Sequence, residues 1–188
     1  MRTIAHNGAA MLPMALNIVG FNLAWLATVV GAAEGLPWAG PAALLVFAAF
    51  QLPASARPRY DLTAMAVFMT VGLVVDSFWA AAGVVQYASA WPSDVLAPVW
   101  LVALWGSFSL TLGHSLAWIR RRPVAAALLG GVGGGFSYWV GAGLGAVQPN
   151  IPAALYGVLV GISWAVIFPV LIAVTARAAR RRLPAYQR

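Results

Sequence analysis

Four acidic residues and two histidines carry almost all the acid–base chemistry this chain can offer. Asp76 lies in the apolar run TAMAVFMTVGLVVDSFWAAAGVV, and His114 lies in LVALWGSFSLTLGHSLAWI. In such surroundings an ionisable group is costly to keep, which makes each a functional candidate. Both could move a proton or meet a polar ligand. Ser107, Thr111, Asn22 and Glu34 are the polar residues that could join them as ligand-binding groups, with Trp79 and Trp105 as aromatic walls. The chain has no cysteine, so disulfides, thiol catalysis and thiolate metal sites are excluded. Two histidines, with one in the N-terminal tail, fall short of a transition-metal site. No metal and no cofactor is expected.

The elements that must hold these residues follow from composition. Of 188 residues, 62% are hydrophobic and 8% charged. Soluble domains carry roughly 25% charged residues, so a soluble enzyme is excluded, and a disordered chain is excluded by hydrophobicity. The composition predicts an all-α polytopic membrane bundle forming one domain over residues 1–188. All 11 basic residues are arginine, which with the alanine and glycine content points to a high-GC bacterial genome. The net charge of +7 is read from its placement, and no nucleic-acid partner is expected.

Six apolar stretches can cross a core of ~30 Å, at approximately 12–32, 39–54, 61–83, 96–119, 123–146 and 151–176. The second is the shortest. Pro41, Pro98, Pro123 and Pro152 fall in first turns, while Pro169 is expected to kink the last span. The first stretch is expected to be a retained helix and not a signal peptide. Arg2, then Arg57 and Arg59, then Arg120, Arg121 and Arg122, then Arg177, Arg180, Arg181, Arg182 and Arg188 all fall on one side of six crossings. Glu34 and Asp94 fall on the other. The positive-inside rule then predicts both termini in the cytoplasm.

With a 1.5 Å rise per residue, Asp76 lies about 22 Å across from the inner boundary, and His114 about 7 Å from it. A direct pair between them is not expected. An inner cluster of Asn17, His114 and Asp61 and an outer cluster of Asp76, Ser107, Glu34 and aromatics are predicted, with Asp61 salt-bridged to Arg57 or Arg59. Ser107, Thr111, His114 and Trp118 form a stripe at helical spacing. Asp76 has no basic residue at its level, so it is expected to be neutralised by a proton, satisfied by a hydroxyl such as Ser107, or paired with a cationic or hydroxylic ligand, and its replacement by leucine is expected to leave the fold at least as stable. Trp25, Trp79, Trp105 and Trp139 either line an aromatic pocket around Asp76, suited to a lipid chain, an isoprenoid or an organic cation, or serve as packing bulk. Span five carries Gly130, Gly131, Gly133, Gly134, Gly135, Gly141, Gly143 and Gly145. Its small-xxx-small pairs predict close helix packing, within the monomer or with a second copy or another membrane protein.

The asparagines and Trp25 of span one, Glu34-Gly-Leu-Pro-Trp-Ala-Gly40, Gly72-x-x-x-Asp76, Pro98-Val-Trp-Leu and His114-Ser-Leu-Ala-Trp-Ile-Arg-Arg-Arg122 resemble a proteobacterial family of small inner-membrane proteins known as a domain of unknown function. The resemblance covers nearly the whole chain. It implies a multi-pass protein of the bacterial inner (cytoplasmic) membrane. Members resemble those encoded beside cyclopropane-fatty-acid-synthase-like genes, which implies a role in membrane-lipid modification, as enzyme or partner subunit. No catalytic residue is carried over. Beside that role stand a non-catalytic scaffold and a small-solute transporter. The first predicts a lipid-sized pocket, the second an exposed span-five face, and the third a polar path joining both membrane faces.

Overall fold

The computed structural model describes residues 2–181, with side chains over 12–180. The side chains of Arg2, Arg181, Arg182 and Arg188 lie outside the described residues. The chain forms α1 (Arg2–Ala33), α2 (Ala39–Gln51), α3 (Pro58–Ala81), α4 (Val99–Ser109), α5 (Pro123–Gly143) and α6 (Ala153–Arg181), with short strands β1 (Val85–Tyr87) and β2 (Val147–Pro149). Pro58 and Pro123 open α3 and α5 from the first turn, where a missing N–H costs little. Helix α6 runs through Pro169.

Four helical segments are long and apolar enough to span a membrane: Leu12–Ala33, Pro58–Ala81, Pro123–Gly143 and Ala153–Arg180. Their outer faces are as apolar as their inner ones. Leu23, Val74, Phe78, Val132 and Val166 are all more than half exposed, a surface that water would not tolerate and lipid would. Helices α2 and α4 are shorter, with 13 and 11 residues. At 1.5 Å per residue they rise only about 20 Å and 16 Å.

The fourth expected span is therefore not one helix. Regular structure stops at Ser109, residues 110–116 form turns, and a 3-10 segment covers Ala117–Arg121. The cause is local. Ser107, Ser109 and Thr111 turn their hydroxyls back onto the carbonyls of Ala103, Gly106 and Phe108, a side-chain bond that competes with the helical ladder. Irregular backbone at membrane depth survives only where protein covers it. Leu110, Thr111, Leu112 and Ser115 are all buried. The expected helical stripe of Ser107, Thr111, His114 and Trp118 thus does not exist as one face, because the helix ends within it.

Helix α4 packs against α1, α2 and α3, while the α5–α6 hairpin docks on α3 through α6. Glycine sets the closest approaches. Gly131 and Gly135 face the backbone of Gly161, and Gly135 also faces the Gly157 carbonyl, while Gly130 and Gly134 seat the Phe168 and Trp164 side chains. The span-five glycines therefore pack largely within the monomer, although a Cβ on Gly133 or Gly143 would meet nothing within 4 Å.

At one end of the bundle, β1 and β2 pair antiparallel with Gln86 opposite Gln148 and Tyr87 opposite Val147. Gly83 and Gly145 end the preceding helices at φ values of 69° and 87°, a left-handed turn that suits a residue without Cβ. Strand alternation then decides orientation. Val85 and Tyr87 are buried, and Gln86 between them is exposed.

Candidate functional site

Gly72 and Asp76 share one face of α3, four residues apart. A Cβ at Gly72 would occupy the Trp105 indole, so the glycine lets that ring lie against α3. The ring's N–H then reaches Asp76, one turn further on. Trp105 Nε1 donates to Asp76 Oδ2 at 2.7 Å. From α5, Tyr138 donates its hydroxyl to Oδ1 at 2.8 Å. From β1, the Tyr87 hydroxyl donates to Oδ1 at 3.1 Å. Tyr156 on α6 lies 3.5 Å from the Tyr87 hydroxyl. Asp76 is 1% exposed. A carboxylate accepts and does not donate, and here indole and phenol donors from α4, α5 and β1 satisfy it. Burial pushes the Tyr87 phenol far above its ordinary range, and the neighbouring Asp76 charge adds to that. Tyr87 is held as a neutral donor.

Among the described residues no cationic side chain pairs with Asp76. Among the described residues the ion pair is His114 with Asp61, at 3.2 Å. Nor do three or more His, Cys, Asp or Glu side chains come together there. The chemistry of the site is that of one carboxylate among aromatic donors.

Beside it lies a cavity of about 340 Å³. Trp105 and Tyr138 line it, so the same rings that hold Asp76 form the cavity wall. Trp25, Phe108 and Trp164 complete much of the apolar lining. Trp105 and Trp164 stack at 4.3 Å with planes 19° apart. The rim is exposed: Asn22 on α1, and Leu129, Gly133 and Phe136 on α5. The cavity therefore opens on the exposed surface between α1 and α5. Trp25 Nε1 donates to Ser137 Oγ at 2.7 Å, joining those helices.

The structure redistributes the expected site residues. Asp76 and Trp105 meet. Ser107 does not reach Asp76, since its hydroxyl is turned onto Ala103 O, and Thr111 is spent on Phe108 O. Trp79 stands behind the site, edge-on to Tyr156 at 6.2 Å. Asn22 lines the cavity rim but gives its amide to Ile18 O one turn back. Glu34 is exposed in the turn after α1, apart from the Asp76 cluster. Of the tryptophans expected around Asp76, Trp25 and Trp105 line the cavity, and Trp139 is 49% exposed outside it. Trp164 joins them instead.

The residues expected at the inner end make two sets of contacts. Asp61 pairs with His114 and not with Arg57 or Arg59, because Arg57 and Arg59 are exposed while Asp61 faces inward. Asn17 Nδ2 donates to Leu110 O at 3.4 Å. Its Oδ1 accepts from Ser115 N at 3.3 Å and Ser115 Oγ at 2.5 Å. Asn17 thus satisfies backbone groups freed where α4 breaks, as a buried polar residue must.

Fold and site together define a helical membrane protein with four candidate spans and a buried acidic side chain beside an aromatic cavity whose rim is exposed. The chain belongs to the family described as "Protein of unknown function (DUF2878)", whose model matches residues 14–170. No curated protein and no solved structure matches it.

Proposed function

We propose that this protein takes a lipid chain, acyl or isoprenoid, from the bilayer into the cavity between α1 and α5. Its role is in membrane-lipid modification, as the enzyme or as the subunit that presents the chain. One observation carries this reading: a cavity of about 340 Å³, lined almost wholly by apolar and aromatic side chains, has its exposed rim on the lipid-facing side. A concave apolar site with few polar groups is the usual form of a small-ligand pocket. A transporter would need a polar path joining both membrane faces, and the polar clusters at Asp76 and Asn17 are each closed by their own partners.

The test uses Gly133, where an added side chain meets open space. Gly133→Phe places a ring at the cavity without touching the α5–α6 contact. Mass spectrometry of lipid extracted from purified protein is expected to show retained lipid reduced by roughly fivefold or more, with the melting temperature within about 2 °C. Equal retained lipid in variant and parent would defeat the proposal.

The proposal includes orientation. We place both termini on the cytoplasmic side of a bacterial inner membrane, with Arg57, Arg59, Arg120, Arg121 and Arg122 at that face. The connections carrying β1 and β2 lie opposite. Reporter fusions near residues 90 and 148 should then read periplasmic, and fusions near 58 and 121 cytoplasmic. A shared reading at 58 and 90 would overturn the topology.

A further inference from the structure

We propose that the ligand of this cavity is a lipophilic monocation: an amphiphile whose positive head rests in the aromatic wall in front of Asp76 and whose chain lies along the cavity. The inference rests on the lipid-chain reading above and adds the charge of the ligand.

Three observations combine. The first is the missing counter-charge. Asp76 is 1% exposed and accepts only from neutral donors. No arginine or histidine pairs with it among the described residues. Hydrogen bonds from neutral donors cannot cancel charge, so an ionised Asp76 would act on a cation in the cavity over a longer range than it would in water. The second is position. Asp76 does not line the cavity, yet Trp105 and Tyr138 both line it and bond the carboxylate, at 2.7 Å and 2.8 Å. A ligand in the cavity is thus one aromatic ring from the charge. The third is the wall. Trp25 and Tyr138 bring aromatic rings to the same space, beside the stacked pair of Trp105 and Trp164. Ring faces are electron-rich and attract cations, most strongly when the pair is shielded from water. Donation from Trp105 N–H and Tyr138 O–H to a carboxylate polarises both groups so that their rings gain electron density. A neutral chain would use only the apolar area of this cavity. A cation would use the area and the rings, and would favour the ionised form of Asp76, which has no basic partner among the described residues.

A lipid-facing mouth between α1 and α5 also suits the class. An organic cation with a long chain reaches the cavity from within the bilayer, with its head left at the level of the outer-half carboxylate. A small hydrated ion would have to shed its water and finds no oxygen cage here, since Asp76 is already occupied by its donors.

The experiment uses the full chain in phosphatidylcholine nanodiscs and two probes of equal length: a dibrominated octadecyl trimethylammonium and the matching dibrominated octadecyl alcohol. Bromine quenches tryptophan on contact, and Trp25, Trp105 and Trp164 report the cavity. Gly133→Phe, which fills the cavity and adds no tryptophan, sets the quenching level due to surrounding lipid. The ammonium probe is expected to quench at a mole fraction about tenfold or more below that of the alcohol. Asp76→Asn should bring the ammonium probe to within about threefold of the alcohol and leave the alcohol unmoved. Equal quenching of the unmodified protein by both probes overturns the inference without recourse to any variant, and leaves the lipid-chain reading intact. A preference that survives in Asp76→Asn overturns it as well. Quenching by neither probe above the Gly133→Phe level would defeat both.

Discussion

Asp76→Leu is expected to destabilise the protein by roughly 2–4 kcal/mol and to abolish its activity in cells. The substitution removes a buried charge, which by itself would favour the variant. It also strands the Trp105 N–H and the Tyr87 and Tyr138 hydroxyls, all of which donate to Asp76. An unsatisfied buried donor costs about 1–3 kcal/mol. Tyr87 can turn toward Tyr156, whose hydroxyl lies 3.5 Å away, but the indole N–H has no such recourse. The orphaned donors therefore outweigh the returned desolvation cost. This reverses the expectation from sequence, which assigned Asp76 no protein partner beyond a hydroxyl such as Ser107. Asp76→Asn keeps one acceptor and should lose roughly half as much. Thermal unfolding of the purified variants, read by the monodisperse fraction surviving on gel filtration, measures both. An Asp76→Leu protein that melts at or above the parent would show that the aromatic donors do not depend on the carboxylate.

The second large effect is expected at the α5–α6 contact. Gly135→Leu should prevent recovery of monodisperse protein. A Cβ at Gly135 would sit 2.5 Å from the Gly157 carbonyl and 3.1 Å from the Gly161 Cα. Both are backbone atoms of a facing helix, so nothing flexible can give way. The helices must separate, and with them the close packing that holds the pair in lipid. Gly134→Leu meets the Trp164 side chain instead. It should displace that ring and disturb the cavity, with a smaller loss of recovery. Normal yield and melting of Gly135→Leu in detergent would show that α5 and α6 do not pack as described. The two positions differ by one residue, so their contrast reports helix face directly.

The parts of this architecture readable from sequence are those that depend on local composition. Hydropathy locates the long apolar helices, Pro123 marks the start of α5, and the glycine pairs of α5 announce a close neighbour. Asp76 and Trp105 also stand out by type alone. What stays hidden depends on contacts distant in sequence. The depth arithmetic treats residues 96–119 as a straight helix, which sets Ser107 beside Asp76. In fact three hydroxyls bond back to the chain and α4 ends at Ser109. Tyr87 and Tyr138 reach Asp76 across 11 and 62 residues, and no periodicity within one span encodes such a meeting. The strands that deliver Tyr87 have three residues each, too few to leave a clear alternating pattern. One signal was available: Val-Gln-Tyr at 85–87 and Val-Gln-Pro at 147–149 repeat an apolar–polar start in the two connections. Asn17 belongs to the same hidden class, because its role exists only once α4 is known to break.

The central claim is that the cavity between α1 and α5 holds a lipid chain, and photo-crosslinking tests it most directly. A benzophenone amino acid in place of Leu104, which lines the cavity, is compared with one in place of Leu45, which is 70% exposed on the outer face of α2. The protein is purified, exchanged extensively into detergent, irradiated and analysed by intact mass. A lipid adduct at position 104 that survives the exchange, with only detergent adducts at position 45, is the predicted result. Detergent adducts alone at both positions would contradict it.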